Sequence, residues 1–222
     1  MERPMERRSP PRNASGIEAV VFDYGGVIIS PIVEKVAVLA DRFGITMPEL
    51  LEVLLGPRES GDHPWHRCER GEIEVADIQG LLGPWADAAG LDLHGDEIDV
   101  LMDPTYSVLD VVVERIGRLK AAGYRTALLT NTFAEYRPTM QQVVPFDHFD
   151  AIVESFEVKA RKPERAIYEA TAVMLGVDHS RILYLDDFDQ NLRPAIELGW
   201  SVVHVTGPEQ SLRELDRLVP LD

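Results

Sequence analysis

Four short stretches carry side chains able to do chemistry together. Asp23 closes the apolar run Val20–Phe22 and is followed by Tyr24, Gly25 and Gly26. Thr130 and Asn131 close a second run, in ALLTNT. Lys162 precedes a proline in KARKPERAIYE, and a third run ends in Asp186-Asp187, with Asp189 and Asn191 just behind. Brought together, such carboxylates repel one another and raise each other's pKa unless a cation joins them. Oxygen-only ligands with retained waters favour Mg²⁺. That ion and the Lys162 ammonium would neutralise a phosphoryl group, while Thr130 and Asn131 hydrogen-bond its oxygens. Asp23 would then serve as a nucleophile, forming an aspartyl-phosphate that water hydrolyses. Taken singly, each residue has a plainer role: Asp23 as a turn residue, Thr130 and Asn131 as caps, Lys162 as a solvated surface lysine.

The elements that must position these residues follow from periodicity. Apolar, β-branched runs predict strands over Ile17–Phe22, Arg125–Leu129, Ala151–Val153, Ile182–Leu185 and Ser201–Val205. Most are continuous rather than alternating, as in strands covered on both faces. Helical spacing over Ser107–Ala122, Glu164–Leu175 and Leu192–Leu198 ends each time at a glycine. Strand–helix alternation predicts an α/β fold: a Rossmann-like, three-layer parallel sheet whose ligands bind beyond the carboxyl ends of the strands. Residues 31–103 break the alternation. They carry helical patterns (Val33–Phe43, Pro48–Leu55, Val75–Leu82) without a strand, which predicts an inserted helical cap. The core is then 17–30 with 104–222, and residues 1–16 read as a disordered tail.

Composition limits the partners. The net charge is −16, and the first twelve residues, with four Arg and two Glu, contribute +2, leaving −18 on the rest. Repulsion from phosphate backbones argues against nucleic acid and anionic membranes. No apolar stretch is long enough to span a bilayer, and the N-terminus lacks the apolar core of a secretory signal. The one cysteine, Cys68, excludes an internal disulfide and fits a reducing cytoplasm. The expected partner is a small phosphorylated metabolite. His63, His66 and Cys68 lack the second ligand pair of a structural zinc site, and Cys68 has no pattern of a nucleophile.

In order and separation, the four stretches resemble the four motifs of the haloacid dehalogenase superfamily. Asp23 matches the nucleophile of the first motif, Thr130 the second, Lys162 the third and Asp187 the metal ligand of the acidic fourth, LYLDDFDQN. LDDFDQNLRPAIELGW is similar to the N-terminal phosphatase domain of soluble epoxide hydrolases, and HPWHRCERGEI looks like the cap of that subgroup. The resemblance covers Ile17 to about Val205. It implies a Mg²⁺-dependent phosphatase with Asp23, the Gly25 carbonyl and Asp187 on the metal. Asp186 is a supporting or capping group, Asn191 bonds the fourth-motif loop, and Asp189 is solvated. Trp65, His66 and Arg67 are candidates for a cap loop closing over the site. Equally, Trp65 packs between cap helices and Arg67 pairs with Glu69 or Glu72.

One position departs from the pattern. Family phosphatases carry a second aspartate where this chain has Gly25, on the same side of the strand as Asp23. Its acid–base contribution is typically about 10²–10⁴-fold. Three readings follow. The chain is a phosphatase for good leaving groups, or one in which water or a cap residue substitutes. Alternatively it is a metal-independent dehalogenase, against which Asp186-Asp187 argues, or a non-catalytic binding module. The glycine pair is expected to turn the backbone sharply toward the cap.

Overall fold

A computed structural model describes residues 15–221, apart from positions 32, 58, 60 and 104. The predicted tail lies almost wholly outside the described residues. Among these, five strands form one parallel sheet: β1 Ala19–Phe22, β2 Arg125–Thr130, β3 Ala151–Glu154, β4 Ile182–Asp186 and β5 Ser201–His204, in the order β3-β2-β1-β4-β5. The register places Phe22 beside Leu128 on one side and Leu185 on the other. The chain works outward from β1 through β2 and β3, then crosses to β4, so the order reverses at β1, where ligands bind in such sheets.

The sheet is covered on both faces, which explains its unbroken apolar runs. Alternate residues feed two cores. Val20, Phe22, Leu128, Leu183 and Leu185 pack on one face, and Ala19, Val21, Leu129 and Tyr184 on the other. The first face takes Val112, Ile116 and Leu119 of a helix over Asp110–Ala121 and Leu215 of one over Pro208–Leu218. The second takes Ile167, Tyr168 and Ala172 of Arg165–Leu175, with Leu192 and Ala195 of Asp189–Glu197. This last helix starts three residues earlier than its apolar pattern predicts. Its first turn is polar, and Asp189 there complements the positive end of the helix dipole.

Among the described residues, six helices lie between β1 and the next core helix: α1 Val33–Phe43, α2 Met47–Leu54, α3 Pro64–Glu69, α4 Val75–Leu81, α5 Gly83–Ala89 and α6 Glu97–Met102. They enclose a third apolar cluster, including Val36, Leu39, Leu50, Leu54, Ile78 and Leu101. The segments leading into and out of the insertion are stitched together by Ser30 N to Ser107 O (2.8 Å) and Leu109 N to Ile28 O (2.9 Å). Phe133, from the loop after β2, joins this third cluster and meets the Trp65 ring edge-on at 4.9 Å. The end of α3 is also tied to the core by ion pairs from Glu69 to Arg161 (2.5 Å) and from Arg70 to Glu164 (3.3 Å).

Candidate active site

The carboxyl ends of β1, β2 and β4 converge as their register requires. Asp23 continues the ladder by donating its backbone N–H to Leu185 O at 3.0 Å. Immediately afterwards Tyr24 O accepts from the backbone N–H groups of both Ile28 and Ile29, so the chain winds one tight turn and leaves for the cap. Lys162 reaches in from the loop before Arg165–Leu175. Its Nζ lies 2.7 Å from Asp23 Oδ1 and 2.8 Å from Asp186 Oδ2. Asp23, Lys162 and Asp186 are all buried.

Asp186 is a fully occupied support. Its Oδ1 accepts from Phe188 N (2.8 Å) and Asn191 Nδ2 (3.1 Å), and its Oδ2 accepts from Lys162 and the Tyr184 hydroxyl. Asn191 thus bonds the loop after β4, and its own carbonyl accepts from Tyr168. Asn131 forms a reciprocal pair with the Lys162 backbone: Lys162 N donates to Oδ1 (2.7 Å) and Nδ2 donates to Lys162 O (3.0 Å). The Asn131 carboxamide thereby helps fix Lys162 and keeps one Nδ2 hydrogen to spare. Thr130 is buried beside it, its Oγ1 donating to Asn131 O at 3.3 Å.

Charge is unbalanced here. Three carboxylates, Asp23, Asp186 and Asp187, place oxygens within 4.8 Å of one another around one ammonium. Burial, opposed by Lys162 and reinforced by Asp186, lifts Asp23 to about 7. Burial and the charges of Asp23 and Asp186 lift Asp187 to about 8. Although burial disfavours the Lys162 ammonium, Asp186 and Asp23 hold it above its usual value. Asp187 Oδ1 is buried with no hydrogen-bond partner among the described residues, and buried oxygens seldom go unsatisfied. An oxygen-seeking divalent ion fits this donor set.

The two glycines differ in kind. Gly26 has φ +73°, and a Cβ there would fall 2.1 Å from Asp187 Oδ2, so glycine is required. At Gly25 an added Cβ meets no heavy atom within 4 Å, and φ is outside the left-handed region. The expected sharp turn therefore needs Gly26 alone, and a side chain at Gly25 is sterically permitted.

A cavity of about 750 Å³ opens above these groups. Its floor includes Asp23, Gly25, Thr130, Lys162 and Asp187, and its walls include Met47, Leu51 and Leu55 from the second cap helix and its end, with Trp65, Leu101 and Phe133. Trp65, within α3, packs in the cap cluster and lines the cavity. Arg67 pairs with Glu72 at 3.6 Å. His63 accepts from Trp65 N and lies 3.1 Å from Val53 O. Burial lowers His63 to about 4 and His66 to about 3, and raises the Cys68 thiol to about 12. Among the described residues, Asp23, Asp186 and Asp187 form the single metal-competent cluster, so His63, His66 and Cys68 do not make one. Asp189 pairs with Arg193 at 3.1 Å on the exposed start of its helix.

Sequence reasoning passed over two contributors. Arg161, next to Lys162, is buried, bonds Glu69 through Nε, and keeps Nη1 without a partner among the described residues. Its one signal was its place beside Lys162. Tyr184 alternates with the strand's apolar residues and gave no signal.

The profile of haloacid dehalogenase-like hydrolases matches residues 17–199, and the chain belongs to that family. It is 30% identical to rat (Rattus norvegicus) bifunctional epoxide hydrolase 2 over 112 residues, covering 48% of this chain and 20% of that protein. It is 26% identical to the sesquiterpene phosphatase astK of Aspergillus oryzae, covering 91% and 96%. The fold is shared with a HAD-family enzyme of Bacteroides thetaiotaomicron solved with magnesium and inorganic phosphate (TM-score 0.62, 20% identity, 88% and 98% covered). The chain spans about a fifth of the length of several curated relatives it matches. No helix among the described residues is long and apolar enough to cross a membrane.

Proposed function

We propose that the chain is a Mg²⁺-dependent phosphohydrolase of a small phosphorylated metabolite, working through an aspartyl-phosphate at Asp23. The observation that carries this reading is the floor itself: two raised carboxylates, one of them with an unpartnered buried oxygen, beside a single buried ammonium at the sheet's switch point. The matched phosphatase and the magnesium–phosphate complex of the structural neighbour support the same chemistry.

Asp23, the backbone carbonyl of Gly25 and Asp187 would hold the ion. When bound, it neutralises carboxylate and phosphoryl charge. Asp23 is aimed by two contacts on one oxygen: Oδ1 accepts from Tyr24 N at 2.6 Å and from Lys162. An Asp23 oxygen attacks phosphorus, forming the acyl phosphate as the bond to the leaving oxygen breaks. Lys162 stays within reach of the transferred group and offsets its charge, while Thr130 and Asn131 orient its oxygens. A water then attacks phosphorus, the P–O bond to Asp23 breaks, and the carboxylate returns with release of phosphate. With glycine at position 25, the leaving oxygen takes its proton from water. The helical insertion over 31–103 acts as the cap that excludes bulk solvent.

Phosphate release from acetyl phosphate and from alkyl phosphates, with Mg²⁺ and with chelator, tests this. Turnover that needs the metal and disappears in Asp23→Asn is expected. Full activity in that variant or under chelation refutes the assignment.

A further inference from the structure

We propose that Arg161 is a further catalytic residue: its unengaged guanidinium nitrogen donates to the leaving oxygen of the phosphoester and stabilises the charge that gathers there as the P–O bond breaks. This rests on the phosphohydrolase reading and names a group that acts on the leaving oxygen where position 25 carries no side chain.

Among the described residues, three cationic side chains line the cavity: Lys35, Arg161 and Lys162. Lys162 is shared between Asp23 and Asp186. Lys35 donates to Asp103 O. Arg161 differs. It is only 8% exposed, its Nε pairs with Glu69 at 2.5 Å, and its buried Nη1 has no partner among the described residues. Buried donors are nearly always satisfied, so this one points to an acceptor supplied by what the cavity binds. The residue is also held at both ends. Arg161 N donates to Glu164 Oε2 at 3.1 Å, and Glu164 N donates to Arg161 O at 2.7 Å. Glu164 pairs in turn with Arg70 at 3.3 Å. Adjacent residues at the end of α3, Glu69 and Arg70, thus grip this loop through two ion pairs of opposite sense. A donor fixed in this way needs no reorganisation when charge develops beside it.

Direction decides which substrate oxygen it meets. Lys162 Nζ reaches down to Asp23 Oδ1 at 2.7 Å, whereas Arg161, one residue before, reaches to the cap. Arg161 therefore stands at the seam between floor and cap. In phosphoryl transfer the attacking and leaving oxygens lie roughly in line through phosphorus. With Asp23 attacking from the sheet, the leaving oxygen departs toward the cap, on the side of Arg161. The wall argues against a second anionic group as the partner, because Glu52 and Glu59 line the same cavity with Glu69 and would repel one. A bridging ester oxygen is uncharged in the bound substrate and gains charge only as its bond to phosphorus lengthens. An interaction that strengthens only then accelerates the chemical step. Arg161 stays charged throughout and gives up no proton. The phosphoryl group passes to Asp23, the electron pair of the broken bond stays on the leaving oxygen, and water protonates it. A proton is returned when a second water hydrolyses the acyl phosphate.

The test varies the leaving group. kcat/KM, which covers the steps up to transfer onto Asp23, is measured with Mg²⁺ on the full-length chain for acetyl, para-nitrophenyl, phenyl and ethyl phosphate, whose leaving oxygens are successively more basic. Arg161→Lys keeps a cation for Glu69 but has no second arm for the substrate. It is expected to lose about 10²-fold on ethyl phosphate, the size of one missing oxyanion donor, and less than about threefold on acetyl phosphate. Arg161→Gln, which can still donate to Glu69, should show the same order, and it decides the matter if the lysine variant does not keep the parent's melting profile. Glu69→Gln keeps an acceptor for Nε, so its loss should be smaller and alike on all the substrates. An equal loss on every substrate in the Arg161 variants, or a Glu69→Gln loss as large as theirs, would mean that Arg161 only fastens the cap, and overturns the proposal. An undiminished rate on ethyl phosphate does the same. These outcomes leave the phosphohydrolase standing while the unaltered chain still releases phosphate in a metal-dependent manner. No release by that chain from any of the substrates removes the phosphohydrolase reading, and this inference with it.

Discussion

The floor and the wall of the cavity treat burial in opposite ways. On the floor, charge is buried and kept: Lys162 is held between Asp23 and Asp186, and Asp187 stands beside them with an open oxygen. In the cap two histidines are buried and kept neutral, His63 and His66 sitting far below their usual pKa because burial disfavours their cations, while the buried Glu69 and Glu97 pair with Arg161 and Arg42. A buried ion pair is poor evidence of stability, since desolvation offsets much of its attraction. On the floor, where three carboxylates gather around one ammonium, it points to chemistry, whereas the neutral histidines of the cap point to packing. The difference teaches which substitutions should stop the reaction and which should only change what is bound.

The largest effect expected is loss of turnover in Asp23→Asn, by about 10⁴-fold or more as for other covalent nucleophiles, with the melting temperature little changed. Steady-state phosphate release checks it. Next comes Lys162→Met, which leaves Asp23 and Asp186 without their shared cation. Removing one member of a buried ion pair costs about 3–5 kcal/mol. Urea denaturation should show that loss at pH 8 and a smaller one at pH 5, where Asp23 can protonate. An equal loss at both pH values would show that the lysine acts through packing alone, and the contrast between floor and wall would fail.

Much of this was legible in the sequence. The unbroken apolar runs gave the strands because both faces of the sheet are covered, and residues at strand ends had to meet once the sheet was parallel. The polar first turn of the helix over Asp189–Glu197 and the mostly polar helix over Pro208–Leu218 escaped, since they bury few apolar residues. What sequence could not convey was the allocation of bonds. That Asn131 clamps Lys162, that Asp186 is saturated while Asp187 is not, and that Arg161 bridges to Glu69 depend on angles between separate elements. No spacing along the chain encodes those angles.

The glycine pair sharpens the comparison at a smaller scale. Gly26→Ala drives a Cβ into Asp187 at a positive φ. It should cost about 1–3 kcal/mol of stability and weaken Mg²⁺ binding, read by urea denaturation and by metal titration. Gly25→Asp meets open space and should fold as well as the parent. It supplies the missing proton donor, so hydrolysis of an alkyl phosphate should rise about 10- to 100-fold, toward the lower range of acid–base catalysis, with acetyl phosphate gaining less because its leaving group needs no proton. Equal gains on both substrates would mean that leaving-group protonation is not what the glycine forfeits.

In the dependence of stability on pH, floor and cap pull in opposite directions. Asp23 and Asp187 have folded pKa values near 7 and 8, above their unfolded value of 3.8. Without metal, the folded chain keeps protons that the unfolded chain releases, so stability falls as pH rises from about 4 to about 8. His63 and His66 are depressed from 6.5 to about 4 and 3. The unfolded chain takes up protons first, so stability falls as pH drops below about 6.5. Between about pH 4 and 6.5 the two effects oppose, so denaturation midpoints in chelator should be nearly level there, falling on the acid side and again above about 6.5. Mg²⁺ should lift the alkaline limb and leave the acid one in place, because it competes with protons only on the floor. His66→Gln should do the reverse, flattening the acid limb and leaving the metal response intact. A metal response that vanished with the histidine would mean that the two regions are not energetically separate.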